Sequence, residues 1–370
     1  MNKPSKHIFV FSFMLLFCLR TVPDLQAQES RPADSISRVL VLPRGPNNPR
    51  NSEGDFITLK DGRIMFIYTH FTGDSYMDDA PAFLAARYSD DKGQTWTTKD
   101  QLVVKQEGKK NVMSVSLMRL RNGQIALFYL RVNSLQDCMP MIRFSSDEGR
   151  TWSAPRACID TPGYYILHNN RVIQLADGRL VFSVAFSGKV CSYYSDDNGR
   201  RWTASAIMPN PDKVVTQEPG IAELKNGDIF MLMRTDTTTQ YVAISKDRGQ
   251  SWGPAHYSNI VSATQSPASV ARIPSTGDLL LVWNNNTSNL DSARLKASRT
   301  PLNIAISKDD GKSWQNMKTL EQNPKGSFCY TAIHFVDNKV LLAYFDWATT
   351  QITIVRVGLD WIYDQYPFKP

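Results

Sequence analysis

From about residue 50 onward the chain alternates short apolar runs with tight polar turns, on the period of strands rather than helices. Six times an apolar run is followed by a two-residue turn and a second apolar run. The turns are Asp61-Gly62, Asn122-Gly123, Asp177-Gly178, Asn226-Gly227, Thr276-Gly277 and Asp337-Asn338. Such dipeptides between β-patterned runs predict hairpins. Interleaved with them is an eight-residue pattern, Ser-x-Asp-x-Gly-x-[Thr/Ser/Arg]-Trp, in five copies: 89–96, 145–152, 195–202, 245–252 and 307–314. The copies start 50 to 62 residues apart, a spacing suited to propeller blades. Each follows a short alternating strand, as in Phe83 to Tyr88 or Leu302 to Ile306, so the box reads as a turn between outer strands. Its Asp can accept amide hydrogen bonds within the turn, its Gly can take positive φ, and its Trp can pack between neighbouring sheets. Calcium ligation by these aspartates is the weaker reading.

Six hairpins and five boxes predict an all-β fold, a six-bladed β-propeller occupying residues 28–370 as one domain. The sixth blade lacks a box. Its strands are expected at Thr331–Phe335, Val340–Phe345 and Gln351–Val357, joined by an early strand such as Arg38–Leu42. Closure by strands from both termini leaves no open sheet edge.

The first 27 residues read as a signal peptide. Lys3 and Lys6 give a positive start, Ile8 to Leu19 an apolar stretch too short to span a bilayer, and Leu25-Gln26-Ala27 a cleavage site. Phe17 before Cys18 argues against a lipoprotein. Export to the periplasm or beyond the cell is expected, with no membrane span. The precursor carries a net charge of +7, and the leader would remove a net +2 through Lys3, Lys6, Arg20 and Asp24. The remaining basic residues are dispersed, which argues against nucleic acid and is compatible with an anionic substrate or with plain solubility. Cys138, Cys158, Cys191 and Cys329 show neither zinc spacing nor a disulfide framework, so buried thiols are expected. No metal or cofactor is indicated.

Residues at the starts of innermost strands face a propeller's axis, and several here carry chemistry. The fourth hairpin opens with Gln217-Glu218-Pro219 and closes with Arg234. The sixth blade opens with Cys329-Tyr330-Thr331. Ser298-Arg299-Thr300-Pro301 precedes the third strand of blade five, and Asp78-Asp79-Ala80-Pro81 lies in the loop before the first box. Over nearly the whole mature chain, this arrangement resembles the sialidase (neuraminidase) superfamily. The resemblance implies Tyr330 as nucleophile, Glu218 as its base, Asp79 (or its neighbour Asp78) as acid/base, and Arg234 and Arg299 as ligands of a substrate carboxylate. It departs in blade one, where the family opens with Arg-Ile-Pro. Here the position falls at Ser52 or Glu53, and Arg50 comes two or three residues early. Arg50 or Arg171 could compensate. Arg272-Ile273-Pro274 sits too late in its blade to serve. His70, His168 and Asn170 are candidate lining residues, and Trp283 and Trp347 could flank a sugar or pack in the core.

The residue types fit together chemically. A sialic acid bears a carboxylate on its anomeric carbon, which would repel a carboxylate nucleophile. A tyrosine is neutral at rest and needs a base beside it. Sialidases are exceptions to the two-carboxylate scheme for this reason. The resemblance therefore implies a retaining exo-sialidase acting, as a monomer, on a terminal acidic sugar of a glycoconjugate. A hydrolase of another ulosonic or uronic acid is the alternative, given the altered blade one. A non-catalytic glycan-binding propeller would not need a tyrosine paired with a base.

Overall fold

The computed structural model describes Met1 and residues 36–263, 265–286 and 299–364. The leader and Ser298 lie outside the described residues. From residue 36 on, the described residues form one compact unit built from six four-stranded antiparallel sheets. Blades 1 to 5 are consecutive meanders, running from the axis outward over residues 51–104, 111–157, 172–204, 216–261 and 269–321. Blade 6 takes three strands from residues 328–358, and its outer strand, Ile36–Leu42, pairs antiparallel with Gln351–Gly358. Each inner strand packs against the next, and that of blade 6 against that of blade 1, closing the ring. No helix among the described residues is long and apolar enough to cross a membrane. Cys138, Cys158, Cys191 and Cys329 are buried, with no disulfide among the described residues.

Sheets covered on both faces need apolar residues on both, and the second strands supply them: Ile64–Phe71, Leu180–Phe186 and Leu279–Trp283 are almost wholly buried. The boxes seal the joints between blades. In the first, Asp91 Oδ1 accepts the amides of Gln94 and Thr95 at 3.0 and 2.8 Å, while its other oxygen accepts the Thr95 hydroxyl at 2.6 Å. Both carboxylate oxygens thus serve the box's own turn. Gly93 has φ +84, and a Cβ there would lie 2.7 Å from Leu341 of blade 6. The glycine therefore permits both the turn and the close approach of blades. Trp202 of the third box packs on Phe182 of its own blade and Phe128 of blade 2, with ring centroids 4.7 and 5.9 Å apart. Such aromatic pairs contribute about 0.5–1.5 kcal/mol beyond area burial.

The inner strands carry a second repeated feature. In blades 1, 2, 4 and 6 the register of the first hairpin shifts, at Ser52/Asp55, Met113/Ser116, Gln217/Gly220 and Cys329/Ala332. At each shift one residue adopts positive φ: Glu53, Ser114, Glu218 and Tyr330. Blades 3 and 5 place Asn170 and Gln265 in the same region just before their inner strands. A bulge breaks the in–out alternation and re-aims a side chain. Non-glycine residues at positive φ are uncommon and mark sites the surrounding structure holds in place.

Candidate active site

Two of these bulge residues meet across the axis. The phenol of Tyr330 donates to Glu218 Oε1 at 3.4 Å, although 112 residues separate them. Both are buried, at 8 and 5 % exposure. The same oxygen accepts Arg234 Nη1 and lies 3.1 Å from His168 Nε2. The imidazole of His168 stacks on the Tyr330 ring, with centroids 4.5 Å apart and planes 9° from parallel. Arg299 stands 5.5 Å from the ring centroid. It donates to Cys329 Sγ and to the Gln265 carbonyl, both at 3.0 Å. Arg234 reaches the Gln265 side chain at 3.3 Å, so Gln265 spaces the two guanidinium groups.

The electrostatics follow from this packing. Burial raises the Glu218 carboxyl, but His168, Arg234 and Arg299 outweigh burial and hold it well below the usual carboxylate range. Burial and the Glu218 charge push the Tyr330 phenol up. At neutral pH the pair is therefore a carboxylate facing a neutral phenol. Such a pair can pass a proton from phenol to carboxylate as the phenolic oxygen bonds to an electrophile.

Blade 1 fills its side of the axis differently. Arg50 is wholly buried, with Phe71, Phe345 and Trp347 rings 4.4 to 4.9 Å from its guanidinium carbon. Its nitrogens reach Asp78 Oδ1 at 2.6 Å, Ser52 Oγ at 3.0 Å and Glu53 Oε1 at 3.3 Å. Glu53 is also buried and accepts the Ser114 hydroxyl at 3.1 Å. Burial raises its carboxyl against the opposing pull of Arg50 and His168. The bulge position of blade 1 thus presents a glutamate, and the nearby arginine is already engaged by carboxylates.

Several expected lining residues have other partners. Arg171 is buried between blades, with Nη2 on the Ala268 carbonyl at 2.7 Å, and a Cβ at Gly220 would lie 2.4 Å from its Nη1. Burial lowers it to about 10, against the pull of Glu218 and Tyr330, so it adds positive charge beneath the pair. Asn170 stitches blades: its amide donates to Asp55 Oδ1 at 2.8 Å and its oxygen accepts the Ile333 amide at 3.1 Å. His70 lies 3.0 Å from Asp100 and stacks on Phe83, in a cluster with Tyr68 and Arg87 that has no contact with Glu218 or Tyr330. It lies on the second strand of blade 1, not on the inner strand. Asp79 faces Lys110 at 3.2 Å, so Asp78, not Asp79, joins the Arg50 group. Trp283 donates to the Val261 carbonyl at 2.9 Å within a core cluster, Trp347 packs on Arg50, and Arg272 binds the Glu223 carbonyl at 2.8 Å.

Gln265 was not foreseen. Its signal is a short echo: Thr264-Gln265-Ser266-Pro267 repeats Thr216-Gln217-Glu218-Pro219 at the opening of the next blade.

The comparisons with known proteins bear on the fold and the family. A sialidase of Micromonospora viridifaciens is 27% identical over an alignment of 214 positions that covers 51% of this chain and 30% of that protein. The chain thus spans less than a third of that relative's length. The intramolecular trans-sialidase of Ruminococcus gnavus superposes with a TM-score of 0.70 at 14% identity, covering 89% of this chain and 99% of that one. The NanB sialidase of Streptococcus pneumoniae gives 0.69 at 14%, covering 87% and 71%. At these identities the superpositions establish the fold. Residues 77–342 match the family described as the BNR repeat-like domain, and the chain belongs to that family as a six-bladed propeller of the sialidase type.

Proposed function

We propose that the axial site belongs to a retaining exo-glycoside hydrolase that releases terminal sialic acids from glycoconjugates. The observation that carries this reading is the Tyr330 phenol on the Glu218 carboxylate, delivered by blades 6 and 4 and flanked by Arg234 and Arg299. The phenolic oxygen attacks the anomeric carbon as the bond to the leaving oxygen breaks, and its proton passes to Glu218. The leaving oxygen takes a proton from Asp78. Water, deprotonated by the same aspartate, then releases the sugar, and the phenol regains its proton from Glu218. The carboxylate on the anomeric carbon is held by Arg234 and Arg299. Asp78 is favoured over Asp79 because, although exposed itself, it bonds to buried Arg50, and its carbonyl accepts Asn111 Nδ2 at 2.7 Å.

A second acidic sugar, another ulosonic or a uronic acid, has one observation in its favour: Glu53 occupies the blade-1 bulge and Arg50 is engaged by Asp78 and Glu53. The deciding experiment offers a panel of sialylated, deaminated and uronic-acid glycans and identifies the released sugar by mass. Release of sialic acid alone supports the first reading, release of a uronic or other ulosonic acid the second. Release from none of them would leave a binding propeller. With this reading we propose export from the cytoplasm after removal of residues 1–27 and action as a monomer.

A further inference from the structure

We propose that His168 is a positioning residue for the Tyr330–Glu218 pair, holding the carboxylate as an oriented anion and the phenol ring at a fixed angle to it. Two independent contacts carry this. Its Nε2 lies 3.1 Å from Glu218 Oε1, the oxygen that also receives the phenol at 3.4 Å. Its ring covers the Tyr330 ring almost face to face, 4.5 Å away. One small side chain thus touches both members of a pair brought together from two other blades.

The chemistry of the contact sets its direction. A carboxylate oxygen only accepts, so Nε2 must carry the proton it shares with Glu218. That hydrogen bond favours the charged carboxylate. His168 is the foremost of the groups holding Glu218 ionised against burial, ahead of Arg234. It also competes with the phenol for Oε1, which accounts for the long phenol contact in the resting site. The other oxygen, Oε2, is buried without a hydrogen-bond partner among the described residues, and the directed bonds seen there fall on Oε1. The charged groups around His168 and the pair include Glu218 with Arg234 from blade 4, Glu53 from blade 1, Arg171 from His168's own blade, and Arg299 beside Tyr330 at blades 5 and 6.

The test separates the hydrogen bond from the stack. His168→Phe keeps an aromatic ring and loses the N–H, whereas His168→Gln keeps an N–H donor and loses the ring. The chain contains only seven glutamates, so carboxyl-labelled glutamate gives a resolvable NMR titration, with Glu218 assigned through Glu218→Gln. The expected result is that Glu218 in His168→Phe titrates at least one unit higher than in the wild type, and that His168→Gln restores most of the difference. If Glu218 titrates alike in His168→Phe and the wild type, or if Gln restores nothing, the proposal is overturned. The kinetic consequence rests on the hydrolase reading: kcat falls about tenfold or more in His168→Phe with KM within about twofold, and Gln recovers part of it. The titration needs no substrate, so inactivity on every glycan would defeat the functional reading while His168 is still judged on Glu218 alone.

Discussion

At its rim and at its axis the propeller uses left-handed backbone for opposite ends. At the rim, five boxes repeat the same side chains around a positive-φ glycine. Every box aspartate binds within its own turn, and Gly93 and Gly199 each abut the preceding blade. At the axis, the positive-φ residues vary from blade to blade, with five residue types among six: Glu53, Ser114, Asn170, Glu218, Gln265 and Tyr330. The rim has one solution to one packing problem. The axis holds a similar backbone device in each blade and varies what it displays, and two of the displayed groups make the phenol–carboxylate pair. Repetition with constant side chains here marks structure, whereas repetition with changing side chains marks chemistry.

The contrast breaks most visibly at Tyr330. Tyr330→Phe removes one hydroxyl and its 3.4 Å contact, at a cost in stability of about 1 kcal/mol or less. Turnover on the true substrate is expected to fall at least about 10³-fold, and trapping by a fluorinated mechanism-based inhibitor to vanish. Near-full activity in this variant, measured by sugar release, would remove the nucleophile from the scheme. Next in size is Arg299→Ala. Removing one partner of a buried charged contact costs about 2–5 kcal/mol, so kcat/KM should drop by roughly 10² or more, with the greatest loss on substrates that bear the carboxylate. An equal loss on a neutral glycoside would show that Arg299 supports Cys329 and Gln265 rather than the substrate.

Much of this was legible in the sequence because it depends on periodicity and local turn chemistry. The hairpin dipeptides and boxes gave blade number and order, and the strands of blade 6 lie within a few residues of their expected limits. That Glu218, Arg234, Tyr330 and Arg299 would come together was readable because each stands near an end of a strand, Arg299 just before Leu302–Ser307. What escaped depends on side-chain direction across blades. His70 has the right strand but is turned onto Asp100. Asn170 sits at the axis yet bonds to Asp55 and the Ile333 amide, partners 115 and 163 residues away. Gln265 lacked a distinctive residue type, and the role of His168 became visible only when blade 3 met blades 4 and 6.

The loop before the first box offers a finer test, since two adjacent aspartates differ only in direction. Asp78 bonds to buried Arg50, and Asp79 to Lys110 on the surface. Asp78→Asn is expected to lower kcat about 10²-fold on a substrate with a poor leaving group and much less on one with an activated phenol, the signature of a lost general acid. Asp79→Asn should stay within about threefold of the wild type on both. The reverse ranking would return the acid/base role to Asp79 and give Asp78 a structural part beside Arg50.

The smallest effects belong to the rim and should leave the axis untouched. Gly199→Ala places a Cβ at φ +80 and 2.9 Å from Ile142, a strain of about 1–3 kcal/mol. It should lower the urea midpoint while kcat/KM of the folded protein holds. Asp309→Asn probes the charge of one box. Slight burial would raise the Asp309 carboxyl, but hydrogen bonds from Ser313 and Ser307 outweigh it and bring it to about 2, from an ordinary 3.8. A depressed folded value means that the group's contribution is complete above the unfolded value and lost as pH falls through the folded one. The wild type should therefore lose stability between pH 4 and 2 more steeply than Asp309→Asn, with the two profiles running parallel above pH 5. Identical slopes below pH 4 would mean that the box holds its turn without the charge. A fall in turnover at neutral pH in either variant would mean that rim and axis are coupled, and the division between them would then fail.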